Sequence, residues 1–125
     1  MCGMMAQRPF QGSFYSKENK IRFTMDLYAE DITVTGWEDF GPMHGYLRGE
    51  GLYGTWMVTT VTRVDSTEAV VRVSNDQGSD TQELRLLLAP NDTTLTVRLT
   101  DGVSMKRAVG KKLQKLPGTL VFDRI

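Results

Sequence analysis

Residues 83–99 read Glu83-Leu84-Arg85-Leu86-Leu87-Leu88-Ala89-Pro90-Asn91-Asp92-Thr93-Thr94-Leu95-Thr96-Val97-Arg98-Leu99. Leu84, Leu86 and Leu88 alternate with Glu83, Arg85 and Leu87, and Leu95, Val97 and Leu99 alternate with Thr94, Thr96 and Arg98. A period of two sends one set of side chains into a core and the other to water, which is the pattern of a half-buried strand. Between the two runs, Ala89-Pro90-Asn91-Asp92 supplies turn chemistry: proline pre-sets φ, and Asn and Asp hydrogen-bond their own backbone. The stretch therefore predicts an antiparallel hairpin.

The same period extends in both directions. Ile21, Phe23, Met25 and Leu27 alternate with Arg22, Thr24, Asp26 and Tyr28. Further strands are read at residues 10–16, 32–36, 45–48, 53–63, 68–74, 103–107 and 120–123, separated by short polar links such as 17–20, 64–67 and 75–78. About eight to ten short strands joined by links of this length predict an all-β, antiparallel up-and-down meander. An open meander leaves unpaired backbone at both edges, so the expected form is a closed barrel. A barrel of about eight strands holds either its own side chains or one small ligand. One segment also fits a helix: Met105, Val109, Leu113 and Leu116 fall at helical spacing over 106–116. Gly110 in its middle leaves strand, bend and strand equally compatible.

Composition sets outer bounds. With 125 residues and 40% hydrophobic content, residues 8–125 form one domain, and residues 1–7 stand apart from it. Lys plus Arg and Asp plus Glu both number 15, so no general attraction to nucleic acid is expected. The charge is uneven, however, because Lys106, Arg107, Lys111, Lys112, Lys115 and Arg124 face only Asp123 in the last twenty residues. Two poles are expected. Cys2 is the single cysteine, so an internal disulfide is excluded, and no run approaches the roughly 20 apolar residues of a membrane span. Met1 to Gln7 is read as the end of a signal peptide, cut after Ala6, which makes the domain secreted or periplasmic. The alternatives are a disordered N-terminus of a cytoplasmic protein and a lipid-modified Cys2.

The catalytic inventory is thin. His44 is the only histidine, which excludes a site of several imidazoles, and it sits in Gly41-Pro42-Met43-His44-Gly45 with no Gly-x-Ser-x-Gly anywhere in the chain. No phosphate-cradling glycine motif precedes a helix, and Gly49, Gly51 and Gly54 are read as turn or bulge glycines. Glu30-Asp31 and Glu38-Asp39 are read as solvated loop acids, because a general acid needs burial. Residues 75–80 have the oxygen-rich look of a calcium loop but lack its spacing and closing glutamate, and are read as a turn. The expectation is a non-enzymatic protein with no catalytic residue, metal or cofactor.

Gly54-Thr55-Trp56 in a strand, the chain of hairpins and the size together resemble the calycin group of lipocalins and fatty-acid-binding proteins. In lipocalins the Gly-x-Trp motif lies on the first strand, whereas here it is mid-chain, so its role is not carried across. Segments such as Phe14-Tyr15-Ser16, Tyr53 to Trp56 and residues 74–82 are also similar to small secreted bacterial proteins. The resemblance implies a binding domain that holds a small apolar or amphipathic ligand in the barrel. Phe23, Met25 and Trp56 would line the interior, with Arg48 or His44 at the mouth fixing a polar end. The alternative is a protein-interaction module with a filled interior, in which Trp37, Tyr46, Lys111 and Lys112 make the contact surface.

Overall fold

A computed structural model of the chain describes residues 9–34, 36–76, 80–102 and 105–125. The strands, in chain order, are β1 (Gln11–Ser16), β2 (Ile21–Asp26), β3 (Ile32–Thr33), β4 (Pro42–Met43), β5 (Gly45–Gly49) and β6 (Trp56–Val64). They continue as β7 (Glu68–Asn75), β8 (Thr81–Leu88), β9 (Thr94–Gly102), β10 (Lys106–Val109), β11 (Lys112–Lys115) and β12 (Thr119–Arg124). Eight of them, β1, β2, β5, β6, β7, β8, β9 and β12, pair in that order, and β12 returns to β1. Every pairing is antiparallel, so the expected up-and-down barrel is closed, an architecture compatible with a calycin-like fold. The quoted hairpin is β8–β9, with Leu86 opposite Val97 and Leu88 opposite Leu95. Residues 1–8, with the signal-peptide reading and Cys2, lie outside the described residues, as do Gln77, Gly78 and Ser79 of the calcium-like loop and Val103 and Ser104.

Alternation does what the sequence implied. Phe14, Phe23, Leu47, Leu84, Leu95 and Phe122 are fully buried, and together with Trp56 and Met25 they belong to one interior cluster. Phe23 and Phe122 meet edge to face with ring centroids 6.1 Å apart. Their strands, β12 and β2, flank β1, so the contact bridges the interior side of that strand.

The segment 105–116 is not a helix. It forms the hairpin β10–β11, with Val109 opposite Lys112 and Gly110-Lys111 as the two-residue turn. Gly110 has φ +63 at the first central position, as a II′ hairpin turn requires. On a helix, Met105, Val109, Leu113 and Leu116 would share one face. Here Met105 and Leu116 are hydrogen-bonded partners at the hairpin base (3.0 Å) and enter the core, while Val109 and Leu113 are about half exposed at the tip.

Antiparallel order sorts the connections into two ends. The turns after β1, β5 and β7 and the connection carrying β10 and β11 lie at one end; residues 27–44 and the turns after β6 and β8 lie at the other. The hairpin β10–β11 docks across its end of the barrel. Tyr53 N donates to Lys106 O (2.9 Å), Ala108 N donates to Gly51 O (2.7 Å), and the Arg107 guanidinium donates to Asn19 O.

Candidate functional site

Phe23, Met25 and Trp56, the residues expected to line a ligand, are 0%, 1% and 2% exposed and sit in the interior cluster. Trp56 Nε1 donates to Tyr53 O at 3.2 Å, so its one polar atom is satisfied within the fold. Their neighbours are one another: β2 pairs with β5 and β5 with β6, which places Phe23, Leu47 and Trp56 in one cross-strand row. All three side chains face the barrel interior and pack there as part of one cluster.

Arg48 and His44 do not converge on a mouth. Leu47 points inward with no exposure, so Arg48 beside it points outward. There its guanidinium lies 5.1 Å from the Tyr46 ring centroid, and its Nε donates to Thr55 Oγ1 at 3.2 Å. His44 precedes the other end of β5. Its Nδ1 is 3.0 Å from Ala29 O and its Nε2 is 3.6 Å from a Glu30 carboxylate oxygen, contacts that tie down residues 27–44.

The surface residues expected to act together are also separated. Trp37 stacks on Phe40 (centroids 5.7 Å, planes 11° apart), flanking a single 3-10 turn, Glu38–Phe40, with Phe40 52% exposed. The Glu38 carboxyl is held below the ordinary carboxylate range chiefly by its own backbone N–H and that of Gly36, with a smaller pull from the charge of Arg48. Lys111 and Lys112 stand at the β10–β11 tip, at the opposite end of the barrel from the connection that carries Trp37. Tyr46 lies between these places, on the outer face of β5.

The sequence reading missed a cleft of about 350 Å³ on the outside of β1, β2 and β5. It is lined by Tyr15, Lys20, Arg22, Tyr46, Arg48 and Glu50, with Gly49. Strand register builds it. Tyr15 stands opposite Arg22, and Arg22 stands opposite Arg48, so three outward side chains form one row across three strands. The outward setting of Arg22 was legible from the alternation at 21–27; its meeting with Arg48 was not, because residues 27–44 intervene.

Among the described residues, no group of three or more His, Cys, Asp and Glu side chains is arranged to hold a metal ion. No helix among them is long and apolar enough to cross a membrane. Asp76, in the calcium-like loop, accepts a hydrogen bond from Thr55 N at 2.7 Å, a structural contact between the β7 end and the Gly54-Thr55-Trp56 segment. Comparison of the chain with protein-family models, with curated proteins and with solved structures finds no significant match to any of them.

Proposed function

We propose that the chain is a non-enzymatic binding domain that recognises its partner on the outside of the barrel, with the interior serving as a packed core. The observation that carries this is the burial of Trp56, Phe23, Met25 and Phe122 against one another in a single cluster, with 0–2% exposure. Binding a drug-sized molecule there would require displacing aromatic side chains, each worth several kcal/mol of burial (about 3–5 by truncation). The polar and aromatic groups left for recognition are outside: the Trp37–Phe40 stack, the tyrosine and arginine cleft on β1, β2 and β5, and the lysine-rich hairpin tip.

The closed eight-strand up-and-down topology favours a second reading, a small apolar ligand inside the barrel as the calycin resemblance implied. Native mass spectrometry of the purified protein before and after organic extraction separates the two. A clean apo mass is expected. A discrete additional mass that extraction removes would move recognition to the interior and to Phe23, Met25 and Trp56.

A further inference from the structure

We infer that the cleft between β1, β2 and β5 binds a tetrahedral oxyanion, the anionic head of a phosphate or sulfate group, with Arg22 as its principal contact. The inference rests on the reading that recognition is external. Arg22 and Arg48 are direct cross-strand partners on the same outer face. Like charges so placed disfavour the sheet unless something answers them. Among the described residues the Arg22 side chain makes no hydrogen bond or ion pair. Arg48 is fixed by Thr55 and the Tyr46 ring, so its charge is held in place before any ligand arrives.

A second cross-strand arginine pair serves as the comparison. Arg85 faces Arg98 on β8 and β9, beside a cleft of about 410 Å³, but there Glu83 lines the cleft and Glu68 lies 3.2 Å from Arg85. There Glu68 answers Arg85, and Glu83 stands in the lining with its Oε1 accepting from Thr100 Oγ1. At Arg22 and Arg48, Lys20 adds a further cation to the lining and Glu50 is the one carboxylate among the lining residues; the charge of Arg48 also acts on Glu38 outside the cleft, which leaves Arg22 as the arginine of the two without an ion pair among the described residues. The hairpin β10–β11 adds to the same field, because Arg107 is bonded to Asn19 O, next to Lys20, and brings lysines to this end.

The chemistry of the lining selects the ligand class. Planar guanidinium forks match oxyanions in bidentate geometry, and a tetrahedral anion can accept from two forks at once. Tyr15 and Tyr46 supply hydroxyl donors and ring faces for whatever the anion is attached to. A volume of about 350 Å³ is at the small end of ligand sites, suited to an anionic head and one ring rather than an extended chain.

The test is an amide NMR titration of the full chain with inorganic phosphate and, separately, phenyl phosphate at constant ionic strength. Saturable shifts centred on Tyr15, Arg22, Tyr46 and Arg48 are expected, at least tenfold weaker in Arg22→Gln and unchanged in Arg98→Gln. Tighter binding of phenyl phosphate identifies an ester as the natural source, and equal binding a free anion. Shifts that never saturate, that map only to β10–β11, or that keep their affinity in Arg22→Gln overturn the site. If Arg22→Gln loses the dispersed spectrum, Arg22→Lys, which keeps the charge but not the fork, is read in its place and is expected to bind several-fold more weakly. An interior ligand seen by mass spectrometry would remove the external reading without altering these shifts, so the two failures are distinguishable.

Discussion

At the scale of single residues, Gly54 and Gly110 separate two reasons for glycine. Gly54 has φ +81, and a Cβ there would lie 2.3 Å from Asn75 Oδ1. Asn75 is buried and its Nδ2 donates to Tyr53 O at 3.0 Å, so it has little room to retreat. Gly110 has φ +63 with nothing within 4 Å of a Cβ, so substitution there meets only the left-handed backbone penalty. Gly110→Ala is expected to cost the hairpin about 1–2 kcal/mol. Gly54→Ala carries the same penalty plus a clash, and is expected to lower global stability by about 2 kcal/mol or more. Urea unfolding of both variants checks the ordering; equal midpoints would remove the steric account of the Gly54-Thr55-Trp56 motif.

Between residue and strand, the ion pairs across β6, β7 and β8 make stability depend on pH. Arg63 lies 2.7 Å from both Asp65 and Glu68, and Arg85 lies 3.2 Å from Glu68. The Glu68 carboxyl is held below its ordinary value of 4.5 chiefly by the hydrogen bond from Arg63, which outweighs the opposing effect of desolvation and is helped by the charges of Arg63 and Arg85. A carboxylate lowered on folding contributes stability above its unfolded value, and that contribution is lost as pH falls through the folded one. Glu68→Gln is therefore expected to melt below the wild type at pH 7, with the gap closing below about pH 4, as thermal unfolding across pH would show. Arg63 also guards an edge. β5 pairs with β6 only at Met57 and Trp56, and His44 N extends the bonding to Val58 O, so Thr59 to Val64 has no ladder partner on that side among the described residues. Two register shifts and the charge of Arg63 interrupt this edge. Arg63→Val, which also removes the main partner of Glu68, is expected to melt somewhat below the wild type at pH 7 and to raise light scattering on concentration; scattering no greater than that of the wild type would mean that the bulges suffice.

For the whole molecule the deciding contact is the seam. Closure joins β1 to β12, with Phe14 opposite Arg124, so strands from the two ends of the described chain must meet. Arg124 clasps them: its guanidinium donates to Asp92 O, Gln11 O and Pro9 O at 2.8–2.9 Å and lies 4.5 Å from the Phe14 ring centroid. A lysine ammonium is a point charge and cannot reach three carbonyls in different directions. Arg124→Lys is expected to cost about 2 kcal/mol in chemical denaturation, on the order of one charged hydrogen bond. The same closure gives the neutral chain its polarity. The end with residues 27–44 holds Glu30, Asp31, Asp39, Asp65 and Asp92, whereas at the other Lys17, Lys20 and the basic residues of the hairpin outnumber Glu18, Glu50, Asp76 and Asp80.

The sequence by itself determined that this protein is an antiparallel meander, which residues of the three clearly alternating runs, 21–27, 84–88 and 95–99, face inward, and where most turns fall. Alternation and turn chemistry are local, and a two-residue period needs no partner to be read. It left 105–116 open, because apolar residues at helical spacing also fit a hairpin whose base is buried and whose tip is not. Only the tertiary structure decided that β12 closes on β1 through Arg124. It alone decided that large side chains occupy the barrel interior, that Trp37 and the hairpin lysines lie at opposite ends, and that Arg22 meets Arg48. Each of these depends on register between strands separated by loops, and register is set by the packing of the assembled barrel rather than by any one segment.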